Sequence, residues 1–251
     1  MPIGPRWAPD PEEEARPGPE PLALLIVIHY HGTPIGGSRQ DCIRFLRGRH
    51  ALVPFPRPED VPAVADVCQS FELDNGAVSV WNSGGELDVP GFIAWTREWC
   101  LHPGFDWALI PDVIVGNEEE NDAMISQWID AGLSRYGAPV WHLHESIDRL
   151  VRLCAQWPTV ALGSSGAWKT PGTQPWWRRI SEAMGAICDK NGRPAARLHG
   201  LRMLDPDIFT RLPLASADST NAAMNSGALD RYGHYPRRPP RMAGPHGHQR
   251  A

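Results

Sequence analysis

The sequence lacks a membrane-length hydrophobic run, a cysteine pair and a secretory signal. Its longest apolar stretch, PLALLIVIHYHG at residues 21–32, is shorter than the ~20 residues of a membrane span and fits a buried strand. The five cysteines are scattered without a C-x-x-C spacing, so neither a disulfide framework nor a cysteine zinc site is predicted. Because no basic start is followed by an apolar segment near the amino terminus, we expect a cytoplasmic protein without membrane contact.

Charge is distributed unevenly along the chain, whose formal net charge is -5. Residues 1–21 are rich in proline and glutamate and are predicted to be a disordered leader. Residues 230–251 are basic and are predicted to be a flexible tail, which leaves residues 22–229 as one acidic domain. This balance excludes a uniformly basic nucleic-acid-binding face, so contact with a polyanion would come from local patches.

Eight apolar segments alternate with stretches of helical periodicity. Apolar strands that alternate with helices predict a parallel sheet covered on its outside, and eight such units predict a compact (β/α)8 TIM-type barrel of the α/β class. The predicted strands are LALLIVIHY, ALVPF, SFELDNG, DWALIPDVI, PVWHLH, TVALGSSG, ARLHGLR and PLASAD. The predicted helices lie in PEDVPAVADVC, VPGFIAWTREWCL, NEEENDAMISQWIDAG, ESIDRLVRLCAQW and WWRRISEAMGAICD.

Polar side chains follow most of the predicted strands. In a barrel of this type the carboxyl ends of the strands carry the active site. Any one of these residues also fits a turn, a helix cap or a core position, but their convergence on one face predicts an active site. They are His29 and His31, Asp74 with Asn75 and Gly76, Asp112, His142 and His144 with Glu145, Gly163 with Ser164 and Ser165, His199 with Gly200, and Asp218.

One chemistry that fits this face is metal-dependent hydrolysis of an amide or a base. Asp218 and the strand-end histidines resemble the ligand pattern of amidohydrolases. Those enzymes commonly bridge two metals with a lysine on a strand, whereas Lys169 and Lys190 here fall in a loop and at a helix end. The histidines of this pattern are His29, His31, His142, His144 and His199.

A second chemistry uses two carboxylates. Asp218 would attack a sugar carbon, and Asp74 would move the proton on the base that leaves or arrives. Two displacements through a covalent glycosyl-enzyme retain configuration and need one ionised and one proton-shuttling acid, a difference that buried strand ends can supply. Ser219, Thr220 and Asn221 follow Asp218, and this pattern is equally typical of a helix N-cap.

Several of these segments resemble, in the same order, the tRNA-guanine transglycosylase superfamily. SFELDNGAVSVW is similar to the segment that carries its acid/base, and ASADSTN to the nucleophile segment. IPDVI resembles the segment that reads the guanine edge, and ALGSSG and LHGLR resemble strand ends that bind the carbonyl oxygen of the base. The resemblance spans roughly residues 23–225. It implies that Asp218 is the nucleophile at C1′, that Asp74 is the general acid/base and that Asp112 binds N1 and the 2-amino group.

The chain departs from the larger tRNA enzymes of this superfamily. It lacks their carboxyl-terminal cysteine and histidine zinc site and their added tRNA-binding region, and Leu162 stands where they have glutamine. In its length and in the stretches VWHLHES, ALGSSG and LHGLRMLDP it looks most like the DpdA group of phages and bacteria. That resemblance implies replacement of guanine in DNA by a 7-deazaguanine of the preQ0 kind, with no metal and no cofactor. tRNA stays the alternative polymer, and a homodimer stays open.

The resemblance also implies a pocket for the base. Backbone N–H groups near Gly163, Ser164 and Gly200 would hold the O6 side, because small residues allow close approach. The expected substrate-binding residues are Asn75, Gly76, Asp112, Gly163, Ser164, His199 and Gly200.

A base in DNA must leave the stack to reach such a pocket. The segment SSGAWKTPGTQPWWRR offers aromatic and basic side chains to grip the strand or fill the gap. Trp176 and Trp177 fit that role and equally fit the start of a packed helix. The expected nucleic-acid-binding residues are Trp168, Lys169, Arg178 and Arg179.

A third interpretation is a catalytically silent partner that only binds nucleic acid or a second subunit, since a barrel fold alone licenses no activity. The presence of both Asp74 and Asp218 argues against it.

Overall fold

The computed structural model describes residues 27–33 and 39–220, in which nine parallel strands form one sheet. Eight of the strands lie within or overlap the segments predicted from the sequence. The additional one, β5, has only two residues. The strands are β1 (Ile28–Gly32), β2 (His50–Pro54), β3 (Ser70–Asp74), β4 (Phe105–Leu109), β5 (Gly137–Ala138), β6 (Val140–His142), β7 (Thr159–Gly163), β8 (Arg197–Gly200) and β9 (Ser216–Ser219).

The order of the strands is that of a barrel. Along the sheet it runs β5-β4-β3-β2-β1-β9-β8-β7-β6, with every neighbouring pair parallel. Pro139 alone separates β5, which pairs with β4, from β6, which pairs with β7. Proline has no N–H to donate to a ladder, so one strand is counted as two and the strand count is nine instead of the predicted eight. The predicted TIM-type α/β barrel is confirmed.

Helices connect the strands and cover the outside of the sheet. Five of them lie where helical periodicity predicts them, whereas α1, α3 and α8 were not predicted. None of the helices within residues 27–33 and 39–220 is long and apolar enough to cross a membrane. The helices are α1 (Arg39–Leu46), α2 (Val61–Val67), α3 (Ala77–Ser83), α4 (Val89–Trp99), α5 (Glu118–Asp130), α6 (Ile147–Gln156), α7 (Gln174–Ile187) and α8 (Pro206–Phe209).

Side-chain caps fix where several of these helices begin. The Asn117 side chain accepts from the N–H of Glu120, and the Glu120 carboxylate accepts from the N–H of Asn117, so α5 begins with a reciprocal capping box. Ser146 accepts from the N–H of Arg149 at the start of α6. Each cap satisfies a backbone donor that the first helical turn leaves without a partner.

Alternation along the strands divides side chains between the barrel interior and the outer core. Tyr30 of β1 contacts the rings of Trp107 on β4 and His199 on β8, which are not neighbouring strands, so these side chains meet inside. Phe71 and Leu73 of β3 pack in the outer core with the helices. Because successive side chains point to opposite faces, Ser70, Glu72 and Asp74 of the same strand face the interior.

His29 and His31 face outward, on either side of the inward-facing Tyr30. The His29 ring lies against Phe209 of α8 and the His31 ring against Phe45 of α1. The two histidines after the first strand therefore do not reach the interior of the barrel, which separates them from the other ligands of the amidohydrolase-like pattern.

We expect His31 to make folding sensitive to acid. Burial, with smaller contributions from the positive charges of Arg49, His29 and His50, lowers the pKa of His31 to about 4. The unfolded chain therefore takes up this proton near pH 6.5, and the folded chain takes it up only near pH 4. The resulting stability is complete above pH 6.5 and is lost as the pH falls toward 4, by up to about 3 kcal/mol at ~1.4 kcal/mol per pKa unit.

Urea unfolding at pH 7 and pH 4.5 tests this prediction in the wild type and in His31→Gln, which cannot titrate. The wild type should lose more unfolding free energy than the variant over this range. Equal losses in the two proteins would contradict the prediction.

Candidate active site

Asp74 and Asp218 both face the barrel interior at the carboxyl ends of their strands. Asp74 is the last residue of β3. Asp218 lies in β9 opposite Tyr30 of β1, while its neighbour Ala217 packs in the outer core. The two acids predicted as catalytic thus occupy the same end of the barrel, where enzymes of this fold carry their active sites.

The environment of Asp74 favours its protonated form. Its pKa is raised to about 7, mainly because the surrounding protein displaces water, and the charges of Asp218 and Asp112 raise it further. The N–H of Gly76, which donates to Asp74 at 2.9 Å, and the charge of Arg202 oppose the rise. A carboxyl group with this pKa can both give and accept a proton near neutral pH.

Asp218 is held by the loop that follows β8. One of its carboxylate oxygens accepts a hydrogen bond from the backbone N–H of Arg202. Arg202 has a φ of 58°, a left-handed conformation that costs free energy for a residue with a side chain. The segment NAAMNSGAL, which would form the helix in the N-cap interpretation of Asp218, lies outside the described residues. The contact with Arg202 joins Asp218 to the loop of the neighbouring strand at the barrel mouth, the end of the barrel where the carboxyl ends of the strands lie.

Asp112 is held by two side chains, Asn75 from the loop after β3 and His142 at the end of β6. The Asn75 amide donates to one carboxylate oxygen at 2.7 Å, and His142 Nε2 lies 2.8 Å from the other. Asn75 also donates to the carbonyl of Ile110 and accepts from the N–H of Ala77. Asn75 was predicted to bind substrate, and in the structure it fixes Asp112 and the start of α3.

Three of the predicted substrate-binding glycines are required by packing within the protein. A Cβ atom at Gly163 would lie 2.7 Å from Nδ1 of His142, and one at Gly200 would lie 2.8 Å from Cβ of Met203. Gly76 has a φ of 78°, and a Cβ there would meet Pro56. These glycines keep the ends of the strands close to their neighbours.

Ser164 and the helix α7 are packed against each other at the edge of the site. The indole of Trp176, which is fully buried, donates to Oγ of Ser164 at 3.0 Å. Trp176 therefore starts a packed helix, one of the two interpretations that the sequence leaves open for it.

Arg179 supports the loop that follows β6. Its guanidinium donates to the carbonyls of Leu143 at 2.9 Å and Glu145 at 2.5 Å and lies over the rings of Trp141 and Trp168. These bonds occupy donors that a phosphate would need. Lys169 and Arg178 are exposed, and contact of this segment with nucleic acid stays a prediction.

One interior residue that the sequence did not single out as a site residue, Glu72, belongs to this end of the barrel. It is fully buried, with Oε1 at 3.7 Å from Nε2 of His199. Burial and the negative charges of Asp218, Asp74 and Asp106 raise the pKa of Glu72 well above its usual range. The alternation in SFELD contained this signal, because an inward Asp74 implies an inward Glu72 two residues earlier.

The amidohydrolase-like set is not brought together. His29 and His31 face outward, and His144 is occupied by Ser165 Oγ and the carbonyl of Gly116, at 2.7 and 2.9 Å. Within that set, Nε2 of His199 lies 3.9 Å from Oδ2 of Asp218, and the rings of His142 and His144 stack with centroids 5.6 Å apart, but the two pairs do not share a ligand position.

Comparison with known proteins adds little to this geometry. No protein-family model matches the sequence, and no curated protein matches it. A solved chain described as "Structural study of Project ID from Aquifex aeolicus VF5" is similar at 15% identity with a TM-score of 0.48, over 80% of this chain and 86% of that one. A likeness at this level carries no argument, so the fold rests on the strands themselves.

We expect Gly163→Ala to disturb the site through His142. The added methyl group would overlap Nδ1 of His142, and forcing extra volume into a packed site costs about 1–3 kcal/mol. Gly185→Ala is the matched control, since a Cβ atom at that position of α7 would meet no atom within 4 Å beyond the nearby backbone of its own helix. Alanine there should raise the unfolding free energy by about 0.5–1 kcal/mol. Denaturant midpoints of the two variants measure both changes. Equal midpoints would contradict the close approach at Gly163.

Proposed function

We propose that this protein is a base-exchange transglycosylase that replaces guanine in DNA with a 7-deazaguanine. The observation that carries the proposal is the placement of Asp74 and Asp218 inside one barrel mouth, close enough for the charge of Asp218 to raise the pKa of Asp74. Asp112, a third carboxylate, also acts on Asp74 and is fixed by two neighbours. Resemblance to the transglycosylase segments supplies the reaction.

In the first displacement, a carboxylate oxygen of Asp218 forms a bond to C1′ of the target nucleotide. The bond between C1′ and N9 of guanine breaks, its electron pair stays on the base, and the base receives a proton from Asp74. The product is a glycosyl ester on Asp218 with inverted configuration.

In the second displacement, the incoming 7-deazaguanine loses its N9 proton to Asp74 and attacks C1′. The ester bond to Asp218 breaks, so the carboxylate is restored and the original configuration returns. Asp74 is again protonated, and the enzyme ends as it began.

Asp112 is the group suited to recognise the base. A carboxylate accepts hydrogen bonds only, and N1–H and the 2-amino group of guanine are adjacent donors that the 7-deaza analogue keeps. Asn75 and His142 hold this carboxylate at 2.7 and 2.8 Å. Such fixed geometry lowers the cost of orienting the base.

Replacing Asp218 distinguishes a nucleophile from a structural carboxylate. Asp218→Asn keeps an oxygen for the N–H of Arg202 and should fold, but an amide lacks the charge that attacks C1′, so base exchange should fall by several orders of magnitude. Asp88→Asn is the control, because Asp88 caps α4 by accepting from Gly91 and asparagine caps equally well. A denaturing gel of protein and oligonucleotide should show a shifted covalent band for the wild type and Asp88→Asn only.

The polymer is tested separately. DNA and tRNA carrying labelled guanine are incubated with the enzyme and 7-cyano- or 7-aminomethyl-7-deazaguanine. Loss of label from DNA is the expected result. Loss of label from tRNA alone would show that tRNA is the polymer substrate. Retention of label in both polymers would contradict base exchange.

The exposed cations of the α7 segment should contribute to DNA binding. Each phosphate contact changes the slope of log K against log salt by about 0.9, so Lys169→Ala with Arg178→Ala should weaken binding and reduce the slope by about 1–2. Lys190→Ala is the control, since Lys190 is exposed between α7 and β8, at the opposite end of the barrel. An unchanged slope in the double variant would remove this segment from the DNA footprint.

A further inference from the structure

Beneath the barrel mouth, three side chains from different strands aim polar atoms at one another. Glu72 of β3 and His199 of β8 are completely buried, and Asp218 of β9 is 7% exposed. Nε2 of His199 lies 3.7 Å from Oε1 of Glu72 and 3.9 Å from Oδ2 of Asp218. One ligand atom from each residue lies within 4.8 Å of the other two.

Within residues 27–33 and 39–220, these buried atoms have no hydrogen-bond partner. Both carboxylate oxygens of Glu72 and Nε2 of His199 are unpaired. The 3.7 Å between Glu72 and His199 is too long for a hydrogen bond, so the two groups do not satisfy each other. Buried polar atoms left in this state cost free energy, and a native structure that keeps three of them together points to a missing partner.

The remaining polar atoms of these side chains are oriented by the protein. Nδ1 of His199 lies 2.8 Å from Oγ of Ser216, and the backbone N–H of Arg202 donates to Oδ1 of Asp218. These bonds leave Nε2 and Oδ2 directed at the common point. Metal-binding histidines almost always have their second ring nitrogen held in this way.

Aromatic rings form the wall around His199. Trp107 and Tyr30 meet it edge-on, with ring centroids 4.8 and 5.9 Å away. An apolar wall limits the access of water and strengthens the attraction between a cation and its carboxylate ligands.

We propose that Glu72, His199 and Asp218 form a binding site for one divalent cation of the first transition row, for which Zn²⁺ is the probe. Imidazole and carboxylate are ligands that Zn²⁺ accepts, and three protein ligands leave a fourth position open. Tetrahedral bonds to zinc separate neighbouring ligand atoms by about 3.3 Å. The separations of 3.7 and 3.9 Å from His199, and the limit of 4.8 Å between the two carboxylates, must shorten to this value by an inward movement of the side chains.

This site departs from the metal-free mechanism that the sequence resemblance implies. It stands on the geometry of three side chains and does not depend on base exchange. If Asp218 is also the nucleophile, the cation and the sugar compete for the same carboxylate. Cation binding then holds the enzyme in a state that cannot form the covalent intermediate.

Titration of the chelator-treated, full-length protein with Zn²⁺ in a calorimeter tests the site. The wild type should bind one equivalent that Glu72→Gln and His199→Gln weaken by at least about 100-fold, and Ser216→Ala should weaken it by about 10–100-fold, as loss of an outer-shell partner does. Gln at position 72 keeps the shape and removes only the charge. Co²⁺ in place of Zn²⁺ should give the visible absorption of a four-coordinate site.

His102→Gln, and a variant with His234, His246 and His248 all replaced by glutamine, are the controls for adventitious binding elsewhere. Both should keep the wild-type affinity. The proposal is overturned if the wild type binds no stoichiometric Zn²⁺, or if folded Glu72→Gln and His199→Gln bind it with the wild-type affinity. Circular dichroism of the metal-free variants verifies folding. If the two ligand variants do not fold, the loss of affinity in Ser216→Ala is the test of the site.

The outcome is independent of the proposed reaction. A failed titration leaves the Asp218 adduct experiment unaffected. A protein that binds Zn²⁺ but forms no adduct even in its metal-free state keeps the site and loses the transglycosylase.

Discussion

Closure of the parallel sheet is the constraint on which the site depends. Once the strands form a ring, every second side chain of each strand points into the same narrow interior. Residues far apart in sequence then meet: Glu72, His199 and Asp218 each place one ligand atom within 4.8 Å of the other two. Because this space excludes water, their charges act strongly on each other, and the raised pKa of Asp74 is a consequence of that shared interior.

One side of the mouth rests on a chain of buried polar contacts. Arg149 is completely buried and donates to the Glu145 carboxylate at 2.8 Å and to the carbonyl of Val140. The same carboxylate accepts from the N–H of His142, whose ring in turn contacts Asp112. Removing one partner of such a buried network leaves an unpaired charge, so Arg149 and Glu145 support the position of Asp112 through His142.

Much of the architecture could be predicted from the sequence because the local hydrophobic periodicity indicates the strands and helices. Apolar strands alternating with amphipathic helices indicated the barrel, and strand ends indicated Asp74 and Asp218. The features that could not be predicted are tertiary contacts. That Asn75 fixes Asp112, and that Gly163 is required by His142, follows from contacts between strands that no spacing in the chain encodes.

Two errors in the sequence interpretation had a readable signal. His29 and His31 flank Tyr30, so a strand that buries Tyr30 inside must turn both histidines outward, and the amidohydrolase-like pattern fails on that alternation. The same rule applied to SFELD would have placed Glu72 in the interior with Asp74. The leader, the tail and the segment after Thr220 lie outside the described residues, and the predictions for them stay predictions.

The central claim is that Asp218 becomes covalently attached to the sugar of a DNA nucleotide. The most direct measurement is mass spectrometry of peptides from wild-type protein that is denatured during turnover with a short guanine-containing DNA duplex. The account predicts a nucleotide adduct on Asp218 whose amount falls when excess 7-deazaguanine completes the exchange. An adduct on Asp74 or Asp112, or turnover with no adduct at all, would contradict it.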